Sequence, residues 1–483
     1  MKKLSLLTVI ILSICILLTS CSFIVINDKN NTDDSSPEQK SDYTPTDLSY
    51  YDDEALALAR VQSLSSYSFD KNIFTLACDN GYEFIPEEIS CKYDSALLRR
   101  KEMVESKYGI TVSGMNVSCD IMLSDGYNAY LAGDFYADAM MIPTSRLGEF
   151  ASRNFLTRAN SLPNVDYTAE WYDYSTMEKM SAGTQNYGIY GYMTDYIEYY
   201  YCVYINTDLF EKLGLELPYE YVKDGTWTWD KLIELSKSAA TLDSSVSIIG
   251  ANTSLDLLSA VYKSSGLDFL STGTGSIPQV GFENDSMSSA IYVLKSLTSS
   301  GKSIFNSISQ TGTASGDFVN GNMLYFVGTI SQMSEICKLG DSWCPLPCPK
   351  FNPNVEDYIC YASSSSPCLV VPANSNDSEG VATVITALNA ASGNYIKGGY
   401  YDYLVLNSVN NSQTLDMLDY ISGLKAGKSN IDFIDGYSSV LESLSSVKGI
   451  VWNAVNGTSD LEGVSRSAQS TISYEMTKTF TLN

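Results

Sequence analysis

The chain has 483 residues, of which 30 are basic and 56 acidic, giving a formal net charge of −26, and it contains no histidine. A surface this negative disfavours nucleic acid and anionic lipid headgroups as partners. The absence of histidine excludes a Ser-His-Asp triad, a Cys-His pair and histidine-ligated zinc. Because no dense group of carboxylates at ligating spacing occurs either, we expect no metal and no other cofactor.

The first residues predict export. Met1–Lys3 is a basic start, Leu4–Leu18 is an apolar run too short to span a membrane comfortably, and two small residues precede Cys21. Small residues directly before a cysteine resemble the signal of bacterial lipoproteins, in which residues 1–20 are removed and Cys21 is acylated. The alternative is an ordinary signal peptide or anchor with a chance cysteine. The lipoprotein interpretation places the protein on the outer face of the cell membrane, held there by lipid.

The residues after the signal differ in composition from the rest of the chain. Residues 21–70 are rich in Ser, Thr, Asp, Asn and Pro, which predicts a flexible tether between the lipid and the folded body. The nine cysteines after Cys21 are spread along the chain without metal-site spacing, so we expect structural or free thiols.

Beyond the tether, strand-like and helix-like segments alternate. The pattern predicts strands at 72–78, 109–113 and 137–142 and helices at 95–108 and 127–132, which indicates a parallel α/β sheet. Such sheets bind ligands at the carboxyl ends of their strands. The residues after the first strand suit a turn as well as a ligand contact. The candidate ligand contacts at these two strand ends are Asp79, Asn80, Pro143, Thr144 and Ser145.

The middle of the chain adds further elements. Tyr199–Ile205 is a tyrosine-rich extended run, and a helix follows it over 206–214. Thr228 can cap the next helix. Trp227 and Trp229 attract attention as sugar-stacking platforms, but their place at a helix start favours packing in the core.

Several segments of this part of the chain resemble one known family. They are Tyr204–Leu215 (YINTDLFEKLGL), Thr226–Leu232 (TWTWDKL), Tyr136–Met141, Phe318–Thr329 and Cys344–Lys350. In this order they resemble the extracellular solute-binding proteins of ABC importers, most closely family 1, the group related to maltose-binding protein. The resemblance covers about residues 70–483. Two features depart from it: Thr207 stands where the family commonly has lysine, and the loop at 142–146 lacks the tryptophan and acid of many sugar binders.

The resemblance implies a two-lobe α/β fold with hinge strands and a ligand cleft between the lobes. On that template, residues 71–200 and 362–410 form the N-terminal lobe, and residues 201–361 and 411–483 form the C-terminal lobe. Further candidate ligand contacts lie near the hinge, at a helix start and at the end of a strand in the second lobe: Asp195, Tyr199, Asn252, Thr253, Gly328, Thr329 and Tyr361.

The function implied by the resemblance is that of a monomeric, non-catalytic receptor. It captures a small polar solute, a carbohydrate in the first instance, by lobe closure and delivers it to the membrane subunits of an ABC permease. Two alternatives stay open. The same fold can serve as a ligand sensor, and a surface glycoside hydrolase needs only two carboxylates and no histidine.

Overall fold

The computed structural model describes residues 54–480 except 81, 83, 265, 267, 272–276, 281–284, 305–313, 352–353, 355–356, 376, 410, 425–430 and 458–460. The predicted signal over 1–20, the acylated Cys21 and the tether as far as residue 53 lie outside the described residues. Within the described part of the chain, no helix combines the length and the apolarity needed to cross a bilayer.

Two five-stranded sheets form the framework. The strands are β1 (Ile73–Asp79), β2 (Thr111–Val117), β3 (Ala139–Pro143), β4 (Leu156–Thr157), β5 (Tyr201–Asn206), β6 (Ser247–Ala251), β7 (Leu270–Ser271), β8 (Gln279–Val280), β9 (Lys302–Ile304), β10 (Met323–Thr329), β11 (Trp343–Pro347) and β12 (Pro367–Pro372). The first sheet has the order β2-β1-β3-β12-β4, and the second has the order β11-β5-β10-β6-β9. In the first, β1 is parallel to β2 and β3, whereas β12 is antiparallel to β3. In the second, β6 is parallel to β9 and β10, whereas β5 is antiparallel to β10 and β11.

Helices connect and cover the strands. They are α1 (Glu54–Ser63), α2 (Lys92–Tyr108), α3 (Cys119–Ala132), α4 (Leu147–Ser152), α5 (Tyr174–Lys179), α6 (Thr207–Lys212), α7 (Tyr219–Lys223), α8 (Trp229–Leu242), α9 (Ser254–Lys263), α10 (Asp285–Ser299), α11 (Ala314–Val319), α12 (Met333–Ile336), α13 (Ser378–Ala390), α14 (Gly393–Ser408), α15 (Ser412–Gly423), α16 (Phe433–Tyr437), α17 (Glu442–Val455) and α18 (Leu461–Thr479). Because α2 and α3 pack on the first sheet and α15 packs on β11 of the second, the molecule is a two-lobe α/β protein.

Helix α2 shows how local sequence sets the ends of an element. The carboxylate of Asp94 accepts hydrogen bonds from the backbone N–H groups of Ser90 and Cys91 at 2.7 and 3.0 Å, which satisfies donors that the first turn leaves unpaired. The helix ends at Gly109, whose φ of +66° is a left-handed conformation that glycine adopts without a steric penalty. The predicted helix is therefore confirmed, and it begins three residues earlier than expected.

The start of α8 confirms two further predictions. The hydroxyl of Thr228 accepts a hydrogen bond from the N–H of Lys231 at 3.2 Å, as expected of a cap. Trp227 and Trp229 are fully buried, and each indole N–H has an acceptor, namely the carbonyl of Pro347 at 3.0 Å and the hydroxyl of Ser264 at 2.8 Å. These tryptophans are core residues and are not sugar-stacking platforms.

One boundary of the predicted tether needs correction. Residues 54–63, placed in the tether by composition, form helix α1, which packs against α2 and α13. Ala57 and Val61 are completely buried and lie one helical turn apart, so they share a face. The polar composition of residues 21–70 as a whole conceals this short apolar stripe.

The chain passes between the two sheets in two adjacent segments. Tyr200 and Ala362 form an antiparallel bridge, and the N–H of Tyr201 donates to the carbonyl of Tyr361 at 3.1 Å. The extended run predicted to begin at Tyr199 begins at Tyr201, because residues 197–199 form a 3₁₀ turn.

The cysteines of the described region are all free thiols. Seven of the nine are buried, and only Cys91 and Cys337 are partly accessible. Burial raises the pKa of the Cys78 thiol to about 12, and it does the same for Cys368. These groups therefore behave as small apolar core residues.

Candidate functional site

A cavity of about 280 Å³ lies between the two lobes. The first lobe contributes Ser145, which follows β3, and the adjacent crossing segment contributes Tyr361 and Ser363. The second lobe contributes side chains from α9, α16 and α17. The described residues that line it are Ser145, Tyr201, Leu255, Asp256, Ser259, Lys263, Tyr361, Ala362, Ser363, Ser364, Ile434, Asp435, Ser438, Leu444 and Lys448. Hydroxyl groups and charged groups of both signs therefore surround the space.

The first turn of α9 holds one carboxylate of the cavity in a fixed position. Asp256 accepts hydrogen bonds from the N–H and the hydroxyl of Thr253 at 2.9 and 2.8 Å, and the hydroxyl of Thr253 accepts from the N–H of Asp256 at 3.1 Å. This reciprocal cap is a familiar way to start a helix. The hydroxyl of Tyr201 donates to the second oxygen of Asp256 at 2.7 Å. Burial, followed by the charge of Asp256, raises the pKa of Tyr201.

Two stacked tyrosines line the cavity where the chain crosses between the sheets. The rings of Tyr201 and Tyr361 are 4.8 Å apart at an interplanar angle of 14°. Their stacking is a direct result of the backbone pairing at the crossing, which brings residue 201 beside residue 361. Burial raises the pKa of Tyr361, so its hydroxyl is a neutral hydrogen-bonding group at ordinary pH.

The cavity lysine on α9 is paired with carboxylates. The ammonium of Lys263 lies 2.9 Å from Asp268 and 3.2 Å from Asp432. Burial alone would lower the pKa of Lys263, but the two carboxylates outweigh this effect and raise it. Burial raises the pKa of Asp432, and Lys263 offsets only part of that rise.

A second ion pair lines the side of the cavity formed by α16 and α17. Lys448 lies 2.8 Å from a carboxylate oxygen of Asp435. Burial would raise the pKa of Asp435, yet the charges of Lys448 and Lys263 outweigh it and lower that pKa. Asp435 is therefore ionised, and it places an acceptor next to the donors of Lys448.

The two lobes touch beside the cavity. The hydroxyl of Tyr437 on α16 donates to the carbonyl of Met180 at 2.9 Å. Lys179 of α5 forms an ion pair with Asp268 at 2.8 Å, and Asp268 also holds the cavity lysine Lys263. Because α16 packs against α4 and the turn after β3, contacts between the lobes border the cavity on one side.

Of the residues proposed from sequence, Ser145 and Tyr361 line this cavity, and Thr253 caps the helix that carries Asp256. Asn252 directly precedes that cap. Thr144 is buried and hydrogen-bonded to Tyr190 at 3.2 Å, and Pro143 ends β3.

The structure places the other proposed residues outside the cavity lining. Asp79 ends β1 and accepts a hydrogen bond from the N–H of Cys119 at 2.6 Å, and Asn80 follows it in a turn. Asp195 is paired with Lys397 at 3.0 Å. The remaining three are Tyr199, whose ring contacts Tyr82, and Gly328 and Thr329, which end β10.

Several lining residues were missed by the sequence reasoning. Asp256, Ser259 and Lys263 are spaced three and four residues apart, so they share one face of α9, and this stripe was a readable signal. Asp435 and Lys448 lie near the end of the chain, and no local pattern indicates that they approach a loop near residue 145.

A wider groove of about 710 Å³ lies elsewhere on the molecule. It is lined by Ile85, Glu87, Glu88, Ser90, Cys91, Tyr93, Asp94, Asn116, Tyr196, Glu198, Tyr400 and Tyr403. Among the described residues, none of α9, α16 or α17 lines this groove, so it is separate from the interlobe cavity. Among the described residues, no group of three or more carboxylates or thiols is arranged to hold a metal ion.

The two-lobe fold and the cavity between the lobes define a two-lobe binding protein. The chain belongs to the bacterial extracellular solute-binding protein family, whose sequence model matches residues 123–395. A comparison with curated protein sequences finds no significant match.

Two solved structures share the fold. The galacto-N-biose/lacto-N-biose I-binding protein of an ABC transporter from Bifidobacterium longum has a TM-score of 0.55 at 13% identity, covering 86% of this chain and 99% of its own. The sugar-binding protein MalE from Xanthomonas citri has a TM-score of 0.55 at 12% identity, covering 84% of this chain and 98% of its own. At this identity the likeness concerns the fold.

Proposed function

We propose that the protein is a membrane-anchored receptor that captures a small polar solute, a carbohydrate, by closure of its two lobes and delivers it to an ABC permease. The observation that carries the proposal is the cavity between the lobes, with five serine hydroxyls and two tyrosine hydroxyls in its lining. Hydroxyl groups and charged side chains are hydrogen-bonding partners suited to a sugar. The sugar ligands and the ABC transporter named for the two structural relatives point in the same direction.

The mechanism follows from which lobe supplies each group. Ser145 belongs to the first lobe, whereas Asp256 and Lys263 project from α9 of the second. A ligand that contacts all of them binds the closed form more tightly than the open form, so it shifts the population toward closure. The permease then distinguishes the loaded receptor by its closed shape. Residues 71–200 with 362–410, and 201–361 with 411–483, are the two rigid bodies we propose for this motion.

A thermal-shift screen of the purified protein against monosaccharides, oligosaccharides, amino acids and polyamines tests the ligand class. A ligand that binds only the native state raises Tm. We expect a rise with a sugar, with that sugar recovered chemically unchanged. A rise with amino acids or polyamines alone would refute the carbohydrate assignment, and conversion of the sugar would refute a receptor without catalysis.

The lipid anchor is a separate part of the proposal. Acylation of Cys21 would hold the protein on the outer face of the membrane, with the residues before α1 as a spacer. In cells, the wild-type protein should fractionate with membranes, and Cys21→Ala should lose that association. A wild-type protein found only in the medium would refute the anchor and leave the cavity assignment untouched.

A further inference from the structure

We infer that the interlobe cavity takes one neutral sugar ring, or a polyol of that size, in preference to an oligosaccharide or a uronic acid. The inference rests on the proposed function and narrows its ligand class. It depends on two independent properties of the cavity, its size and its charge balance.

The size of the cavity limits the ligand. Its volume of about 280 Å³ lies just below the range of ligand pockets, which is roughly 300–1,000 Å³. The contact between Tyr437 and Met180 and the ion pair between Lys179 and Asp268 bring the two lobes together beside it. A cavity of this volume holds one sugar ring, so the further units of an oligosaccharide would lie outside it and would lose its contacts.

The charges of the cavity compensate one another. Lys263 is paired with Asp268 and Asp432, and Lys448 is paired with Asp435. Among the described lining residues, a ligand carboxylate would therefore meet no unpaired cation, while it would lie near the side chains of Asp256 and Asp435. Like charges brought together in a cavity weaken binding strongly, so we expect a uronate to bind at least about tenfold more weakly than the matching neutral sugar.

The Lys448–Asp435 pair suits sugar hydroxyls in particular. An ammonium group has three donors, and Asp435 takes one from Lys448 at 2.8 Å. A hydroxyl both donates and accepts, so neighbouring hydroxyls of one ring can accept from Lys448 and donate to Asp435. Both interactions are charge-assisted, and they bring no net charge into the cavity.

Titration calorimetry on the purified protein tests the inference with matched ligand sets. Each set contains a neutral monosaccharide, its uronate and its trisaccharide, in the gluco, galacto and manno series. We expect the tightest ligand to be a neutral monosaccharide. A tighter trisaccharide or uronate would overturn the inference while leaving a carbohydrate receptor in place. The absence of binding by every sugar in the sets would overturn the proposed function itself.

A substitution separates the charge argument from simple loss of folding. Asp435→Asn keeps an oxygen that can accept from Lys448 but removes the negative charge. The affinity for the uronate relative to the neutral sugar should rise about tenfold, and a damaged protein cannot show such a gain. Lys237→Met, which removes an exposed charge outside the cavity, is the matched control and should leave the ratio unchanged. An unchanged ratio in Asp435→Asn would overturn the charge argument.

Discussion

A single methyl group at Gly148 should weaken ligand binding without destabilising the protein. Gly148 lies in α4 of the first lobe, where it faces α16. A Cβ atom added there would lie 2.7 Å from Cγ2 of Val440 and 3.1 Å from both the carbonyl oxygen of Gly436 and Cα of Tyr437. Two of these three neighbours are backbone atoms, which cannot rotate away. Gly148→Ala should therefore push α16 and the first lobe apart.

The magnitude follows from the cost of overpacking. An extra methyl group in a tightly packed contact costs about 1–3 kcal/mol. Because an opening of the lobes relieves the contact, this cost falls on the closed, ligand-bound form, and Kd should rise roughly 5- to 150-fold. In the ligand-free protein, alanine is favoured over glycine within a helix by up to about 1 kcal/mol, so Tm should not fall.

Calorimetric titration with the sugar identified by thermal shift, together with Tm of the free protein, measures both effects. Gly449→Ala is the matched control, because Gly449 also lies in a helix, α17, and an added Cβ meets no atom within 4 Å. The control should bind as the wild type does. If Gly148→Ala binds the sugar as tightly as the wild type, whether or not its Tm falls, this contact does not belong to the closed form.

Three further predictions follow from other contacts. Lys179→Met removes a partly exposed interlobe ion pair worth about 1 kcal/mol. Kd should therefore rise about fivefold at low salt and less at high salt, because salt screens the pair. A loss of affinity that is the same at both salt concentrations would contradict a role for the ion pair. Burial raises the pKa of Asp419 from 3.8 to about 6, so its carboxylate destabilises the fold progressively as pH rises from about 4 to about 6, and the full penalty is present above that. Asp419→Asn should therefore raise Tm more at pH 8 than at pH 4, and equal gains would contradict the assignment. Of the nine described cysteines, only the partly accessible Cys91 and Cys337 should react rapidly with maleimide in the native protein, as detected by mass spectrometry. Rapid modification of any of the other seven would show that those thiols are not buried.

Local signals account for the part of the fold that could be predicted. The strands ending near Cys78 and Ile142, the helix ending at Tyr108 and the cap at Thr228 depend on short apolar runs and on capping chemistry within a few residues. The burial of Trp227 and Trp229 was predictable for the same reason. Helix α1 was missed because its short apolar stripe follows a long polar segment.

The candidate site was predictable only where backbone topology decides it. Ser145 follows a strand of the first sheet, and Tyr361 lies at a crossing between the lobes, so both were named from position alone. Asp435 and Lys448 reach the cavity because α16 and α17 pack beside α9 and against the first lobe. That packing brings together residues nearly 300 positions apart in sequence, and no local sequence pattern predicts such a contact.

Small-angle X-ray scattering with and without the bound sugar measures directly whether a ligand closes the two lobes around the interlobe cavity. We expect a smaller radius of gyration with saturating sugar, and a smaller change in Gly148→Ala, whose closed form is disfavoured. A radius of gyration unchanged by a sugar that calorimetry shows to be bound would contradict capture by lobe closure.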